Sequence, residues 1–320
     1  MAIISRILLI LLLVLSCSPK NSVKEVAWIK EIKEVKYFSN ADSTYQPALI
    51  YSHVRNNEKR PLLVALHTWS GNYKQTSGNE YAKYCVNKDW YLIHPDFRGP
   101  NNNPKAMGSE YVIQDIVSAV KYMKKNYAID ESRVYLVGYS GGGHAALLMA
   151  GKHPEIWAGI STWNGISDIK EWWEYNEEYA AQIEVAVGGR PDISAASAAE
   201  CLKRSPLTYI WNAKSVKIDI NAGIEDETVP FTHSLLAYNK IVNDNQKIST
   251  NFILEFYESK EVPTAIQKII FDNTYGNKFP LFRKTSDNAR VTIFKGGHEI
   301  IHLAALKWLS MQQKDSQPVW

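Results

Sequence analysis

Residues 138 to 142 read Gly138-Tyr139-Ser140-Gly141-Gly142. A serine fenced by glycines suits one kind of chemistry, a hydroxyl raised on a turn so tight that flanking Cβ atoms would clash. Such a hydroxyl is a poor nucleophile until a base takes its proton. The chain must therefore bring an imidazole to it, and a carboxylate to orient that imidazole. Downstream of Ser140 the histidines are His144, His153, His233, His298 and His302. His298 follows the run "VTIF" and two glycines, in a loop that can swing its ring back over Ser140. His144 and His153 lie in the segment after Ser140, and His233 opens a helical stretch; these three read as packing or surface histidines. For the acid, "VKIDINAGIEDETVPF" offers Asp219, Glu225, Asp226 and Glu227. Asp219 is mid-strand and too deep, while Glu225 and Glu227 read as solvated loop charges. Asp226 comes after the turn and is the candidate partner of His298.

An acyl-transfer site also needs two N–H donors for the negative oxygen that develops. The backbone of Gly141, directly after Ser140, is one. The other belongs in the loop after "PLLVALHT", which reads His67-Thr68-Trp69-Ser70-Gly71, an H-G-x-x-G-like loop with Thr in place of the first Gly. Trp69 N–H is the first choice and Thr68 N–H the second. His67 itself reads as a structural histidine.

These groups lie far apart in the chain, so regular elements must gather them. Eight runs are strand-like: "EIKEVKYF", "QPALIYSHV", "RPLLVALHT", "WYLIHPD", "RVYLVG", "IWAGISTW", "SVKIDINAG" and "ARVTIF". Helices are read over "NEYAKYCVNK", "SEYVIQDIVSAVKYMKKNY" with its apolar residues at helical spacing, the mostly apolar "GHAALLMAGKH", "FTHSLLAYNKIVND" and "HEIIHLAALKWLSMQ". Alternation of the two predicts an α/β fold: three layers around a mostly parallel eight-stranded sheet, its first two strands antiparallel. Ser140 then sits between a strand and a helix whose N-terminal N–H groups point at the reacting centre. Two segments break the rhythm, about 164–206 and about 249–288. Both read as insertions over the carboxyl edge of the sheet, the first as a small cap.

Gly138-Tyr139-Ser140-Gly141-Gly142, set between strand and helix, resembles the nucleophile elbow of α/β-hydrolases. Taken with "GIEDETVP", residues 223 to 230, and Gly296-Gly297-His298, it looks like the catalytic domain of prolyl oligopeptidase-type hydrolases. Dienelactone hydrolases and acetyl-xylan-esterase-like enzymes share much of this pattern, and "HPDFRGPN" is similar to the loop after the fourth strand in that group. The resemblance covers roughly residues 45 to 312. It implies an α/β-hydrolase fold and a Ser140-His298-Asp226 triad, but it does not specify the substrate. Prolyl oligopeptidases carry a large β-propeller before this domain. Only a short segment precedes it here, which tilts the expectation from a gated peptidase toward an esterase.

Substrate contact is expected from Tyr139, from Arg98 and from the aromatic insert "WNGISDIKEWWEYNEEY". Trp172 and Trp173 are equally suited to stacking on a sugar face or to packing the cap, while Trp163 reads as core. Arg98 has the fork to hold a carboxylate, or to make an ordinary loop ion pair. A rival motif, His298-Glu299-Ile300-Ile301-His302, matches H-E-x-x-H. On a helix that spacing serves zinc, with the glutamate as base. Downstream only Asp315 is acidic and no histidine follows, and the glycines before His298 place it in a loop or at a helix start. No metal and no organic cofactor is implied.

The 320 residues suit one large domain or two small ones, with 45% hydrophobic and 22% charged residues. A net charge of +3 is too small to suggest nucleic acid. At the N-terminus, Arg6 and the apolar run Ile7 to Leu15 fit a signal peptide too short to span a bilayer. Ser16-Cys17 resembles a bacterial lipobox, which implies residues 1–16 as signal, lipidation at Cys17, a tether over 17–26 and the hydrolase domain over 27–320. The folded part is then expected in the cell envelope, anchored to a bacterial membrane on its periplasmic or outer face, or else secreted. Cys85 and Cys201 are left as one bridge or two buried thiols. The expected activity is hydrolysis of an ester, such as an acyl or methyl ester on a carbohydrate. A serine peptidase acting on short peptides and a non-catalytic surface binding protein are the alternatives.

Overall fold

The computed structural model describes residues 27–52, 58–263 and 270–320; Cys17 and the expected signal segment lie outside these. Among the described residues nine strands form one sheet: β1 (Lys33–Ser39), β2 (Thr44–Tyr51), β3 (Arg60–Leu66), β4 (Tyr91–Pro95), β5 (Ile129–Tyr139), β6 (Gly159–Trp163), β7 (Ile218–Gly223), β8 (Pro280–Thr285) and β9 (Ala289–Phe294). Their order is β1-β2-β4-β3-β5-β6-β7-β9-β8. The run from β4 to β9 pairs in parallel. β1 and β2 pair antiparallel with each other, β2 does so with β4, and β8 with β9. The ninth strand corrects the expected eight. It lies inside the segment read as the second insertion, where "PLFRKT" extends the sheet edge beyond β9. That segment also holds the helix α8 (Thr250–Ser259).

β3 shows why the central strands are unbroken apolar runs. Leu62, Val64 and Leu66 pack on one face, while Leu63 and Ala65 pack on the other. A strand covered on both sides cannot alternate with polar residues. Burial of each large side chain contributes about 1.5–3 kcal/mol. The first face is covered by α2 (Glu110–Asn126), α3 (Gly141–Lys152) and α7 (Thr232–Ile241). The opposite face carries α1 (Asn79–Lys88) and α9 (His302–Ser310). Between β6 and β7 the chain forms α4 (Ile169–Tyr175), α5 (Glu177–Val187) and α6 (Ala195–Arg204). These build a third core from Ile169, Trp172, Ile183 and Cys201, and it closes on Trp69 and Val229. Asp168 and Asn176 side chains cap the first turns of α4 and α5. Gly188 ends α5 in the left-handed conformation. No helix among the described residues is long and apolar enough to cross a membrane.

Candidate active site

Ser140 sits on the turn between β5 and α3 with φ 57° and ψ −125°, a region L-residues rarely adopt. Its neighbours must be small. A Cβ on Gly138 would run into the Gly142 carbonyl, and one on Gly141 would come within 2.5 Å of the Trp69 backbone. The strained turn is held by the Ser140 N–H, which donates to the Trp163 carbonyl at the end of β6 at 2.9 Å. Ser140 is itself nearly buried.

His298 and Ser140 are 158 residues apart in the chain, yet His298 Nε2 lies 2.8 Å from Ser140 Oγ. On its other side His298 Nδ1 lies 2.8 Å from Asp226 Oδ2. The imidazole is about a quarter exposed and the Asp226 side chain is fully buried. Four hydrogen bonds converge on this carboxylate. Thr228 and Val229 N–H groups donate to Oδ1 at 2.9 Å each, and Asn164 Nδ2 donates to Oδ2 beside His298. The loops carrying the acid and the imidazole are stitched together, Ile224 N–H to Phe294 O at 2.9 Å and Glu225 N–H to Gly296 O at 2.8 Å.

The loop after β3 packs its Trp69 backbone directly against Gly141. Thr68 N–H is already occupied by Gln75 Oε1 at 2.8 Å, and Gln75 Nε2 returns a bond to Thr68 Oγ1 at 2.8 Å. Of the two donors weighed for this loop, Thr68 N–H is thus taken, whereas Trp69 N–H has no hydrogen-bond partner among the described residues. Trp69 is anchored by its indole, which donates to Gln182 Oε1 on α5 at 2.9 Å.

The paired expectations for Arg98 and Trp172 are separated, and those for Trp173 and Tyr139 stand as they were. Arg98 makes the loop ion pair instead of offering its fork to a substrate carboxylate. Its Nε donates to Asp115 at 2.6 Å and its Nη1 to Asp42 at 2.7 Å, with Nη2 shared between both carboxylates, and the side chain is buried. Phe97 and Arg98 both have positive φ, which turns the Phe97 ring onto His67 at 3.9 Å and the guanidinium inward. Trp172 is 1% exposed, stacks on Tyr179 and donates to the Thr228 carbonyl at 2.8 Å, so it packs the cap rather than a ligand. Trp173 remains partly exposed, donating to Glu184 with Arg190 over its ring. Tyr139 is also partly exposed, its ring 5.9 Å from that of His298. Trp163 is in the core.

Several other titratable groups are tied into the fold. Asp219, mid-strand, pairs with Arg290 at 2.7 Å. His144 and His233 are fully buried, and burial pulls each down to about 4. Cys85 and Cys201 are free buried thiols pushed up by burial, the latter to about 11. Helix α9 begins only at His302, so His298 and His302 do not share a helix face as H-E-x-x-H would require. Glu299 instead pairs with Lys278 at 2.8 Å and accepts the Gly297 N–H. Among the described residues, no group of three or more His, Cys, Asp or Glu side chains could hold a metal ion. Sequence reasoning missed Asn164, whose type at the end of a strand carries no signal of its own.

A family model for the prolyl oligopeptidase family matches residues 83–257, more than half of the chain. Among curated proteins, feruloyl esterase B of Thermothelomyces thermophilus is 27% identical over 146 residues, 42% of this chain and 49% of that protein. The uncharacterized peptidase YtmA of Bacillus subtilis is 22% identical over 150 residues, 45% of this chain and 54% of that protein. The chain thus spans about half the length of these curated relatives. Among solved structures, the acylaminoacyl peptidase of Pyrococcus horikoshii superposes with a TM-score of 0.63 at 15% identity, over 91% of this chain and 43% of that one. That likeness establishes the α/β-hydrolase fold. The chain belongs to the prolyl oligopeptidase family.

Proposed function

We propose that this protein is a carboxylic ester hydrolase that works through an acyl-enzyme on Ser140. The observation that carries the reading is the continuous relay Ser140 Oγ, His298, Asp226, with 2.8 Å at each step. His298 Nε2 takes the hydroxyl proton as Oγ attacks the carbonyl carbon, and Asp226 holds the Nδ1–H tautomer and stabilises the imidazolium. Negative charge on the tetrahedral oxygen falls to the N–H groups of Gly141 and Trp69. The imidazolium then protonates the leaving alcohol. Water, deprotonated by the same imidazole, releases the acid and restores Ser140.

The feruloyl esterase relatives support an ester of an aromatic acid on a carbohydrate as substrate. Tyr139 beside His298 and the partly exposed Trp173 are the aromatic groups offered to such a ligand. The peptidase relative keeps a second reading open, cleavage of short peptides. The lipobox-like Ser16-Cys17 supports anchoring in a bacterial cell envelope, tested by loss of membrane association in Cys17→Ala. For the chemistry, a fluorophosphonate probe should label the wild type and not Ser140→Ala. A panel of hydroxycinnamoyl and acetyl esters against aminoacyl amides should give turnover on the esters. Equal labelling of both proteins would sink the serine mechanism, and turnover confined to the amides would replace the esterase with the peptidase.

A further inference from the structure

One dipeptide at the end of β6 touches all three loops of the relay. The Trp163 carbonyl accepts the Ser140 N–H at 2.9 Å. The next residue, Asn164, is buried, with φ 48°, and its own N–H donates to the Asn221 carbonyl on β7 at 2.7 Å. Asn164 Nδ2 donates to Asp226 Oδ2 and also to the Gly297 carbonyl at 2.9 Å, the residue just before His298. Asn164 Oδ1 is buried without a hydrogen-bond partner among the described residues. A buried amide that leaves its oxygen unsatisfied while committing its nitrogen to two acceptors is unusual in a folded protein. Turning the amide over would set oxygen against carboxylate, so the chemistry of the partners fixes its orientation.

We propose that Asn164 is a positioning residue for the hydrolytic reaction: its amide clamps Asp226 and the His298 loop in one register. The inference rests on the serine-hydrolase mechanism above and extends it to a side chain that touches neither substrate nor the reacting atoms. Asn is suited to the place for two reasons. It tolerates the left-handed backbone better than most residues. Its neutral amide also gives a second donor to Oδ2 without adding charge beside a buried carboxylate. An aspartate here would do the opposite once ionised. Among the described residues, ionisable groups that feel Asp226 include His298, His233 on α7, Tyr175 on α4 and Lys260 at the end of α8.

The test compares wild type, Asn164→Gly, Asn164→Asp and Ser140→Ala on a p-nitrophenyl ester across pH, with thermal unfolding in parallel. Asn164→Gly keeps the backbone conformation and removes the clamp. It should lower kcat about 10- to 100-fold, as expected for a small misplacement of catalytic groups, and leave KM within about twofold. Asn164→Asp should approach wild type at acid pH, where a protonated carboxyl can still donate to Asp226. Its activity relative to wild type should then fall as the new group ionises. Unchanged kcat in a folded Asn164→Gly would overturn the proposal, and so would an Asn164→Asp profile parallel to wild type. If Asn164→Gly does not fold, the Asn164→Asp profile decides. Wild-type turnover by Ser140→Ala would overturn the hydrolase mechanism together with this extension, whereas a dead Ser140→Ala beside a fully active Asn164→Gly would overturn only the extension.

Discussion

The indole N–H of Trp172, on the cap helix α4, donates to the Thr228 carbonyl at 2.8 Å, and the Thr228 N–H donates in turn to Asp226 at 2.9 Å. Asn176 Nδ2 reaches the same carbonyl at 3.0 Å. The cap also holds the loop beside Gly141, through Trp69 and Gln182. Trp172 on α4, Asn176 between α4 and α5, and Gln182 on α5 therefore brace the acid loop and the loop after β3.

Trp172→Phe keeps most of the ring and deletes one donor to Thr228. It should lower stability by about 1 kcal/mol, the ordinary worth of a hydrogen bond, and change kcat by only a few-fold because Asn176 remains. Adding Asn176→Ala leaves the Thr228 carbonyl unpaired and should lower kcat about 10- to 100-fold. Urea unfolding with steady-state ester kinetics measures both effects. A double variant with wild-type kcat would show that the cap does not position the acid.

Gly141→Ala places a Cβ within 2.5 Å of the Trp69 N and Cα atoms, so the loop after β3 must retreat. The separation of the two proposed oxyanion donors would then grow. Turnover should fall about 100- to 1000-fold, the usual effect of losing one such donor, while Ser140 still reacts with a fluorophosphonate at a reduced rate. Retention of full turnover would remove Trp69 from the role.

Arg98→Ala would leave Asp115, fully buried, without its counter-charge. Removing one partner of a buried ion pair costs about 3–5 kcal/mol. The variant should unfold at markedly lower urea while KM stays near wild type, because Arg98 spends its donors on Asp42, Asp115 and Ser39. A raised KM with unchanged stability would return Arg98 to the substrate.

Stability should fall as pH drops below neutral. His144 and His233 are held down to about 4 by burial, and in the unfolded chain they titrate near the usual imidazole value of about 6.5. Between those values the unfolded chain binds more protons than the folded one, so stability rises with pH there and is fully present above about 6.5. His94, lowered to about 3 by burial and by nearby His67, extends the loss to more acid pH. Thermal unfolding between pH 7 and pH 4 reads this directly. A flat midpoint across that interval would mean that these imidazoles are not buried neutral.

The elements that place the site were largely legible because their signals are local. The apolar runs of β3, of most of β4 and of the second half of β5 mark strands covered on both faces, α1 and α2 follow 3.6-residue spacing, and α3 is apolar on every side. β8 was not legible. "PLFRKT" begins with proline, is half exposed, and owes its extended form to pairing with β9. The start of α9 was misread by several residues, because Glu299 is drawn into a bond with Gly297 N–H and a pair with Lys278 instead of a helical turn.

By itself the sequence determined which side chains are available for the chemistry: a serine between glycines, a histidine after two glycines and an aspartate on a turn, each at the end of a strand. Strand ends in a parallel sheet share one edge, so order along the chain is enough to nominate them. Only the tertiary structure decided what surrounds them. Trp172 and Trp173 are adjacent, yet one is sealed in the cap and the other reaches its surface. Arg98 turns inward to two aspartates from distant segments. Asn164 meets Asp226 and Gly297 across 62 and 133 residues. Such contacts depend on the direction of each side chain and on which loops the sheet order brings together, and neither is encoded in local spacing.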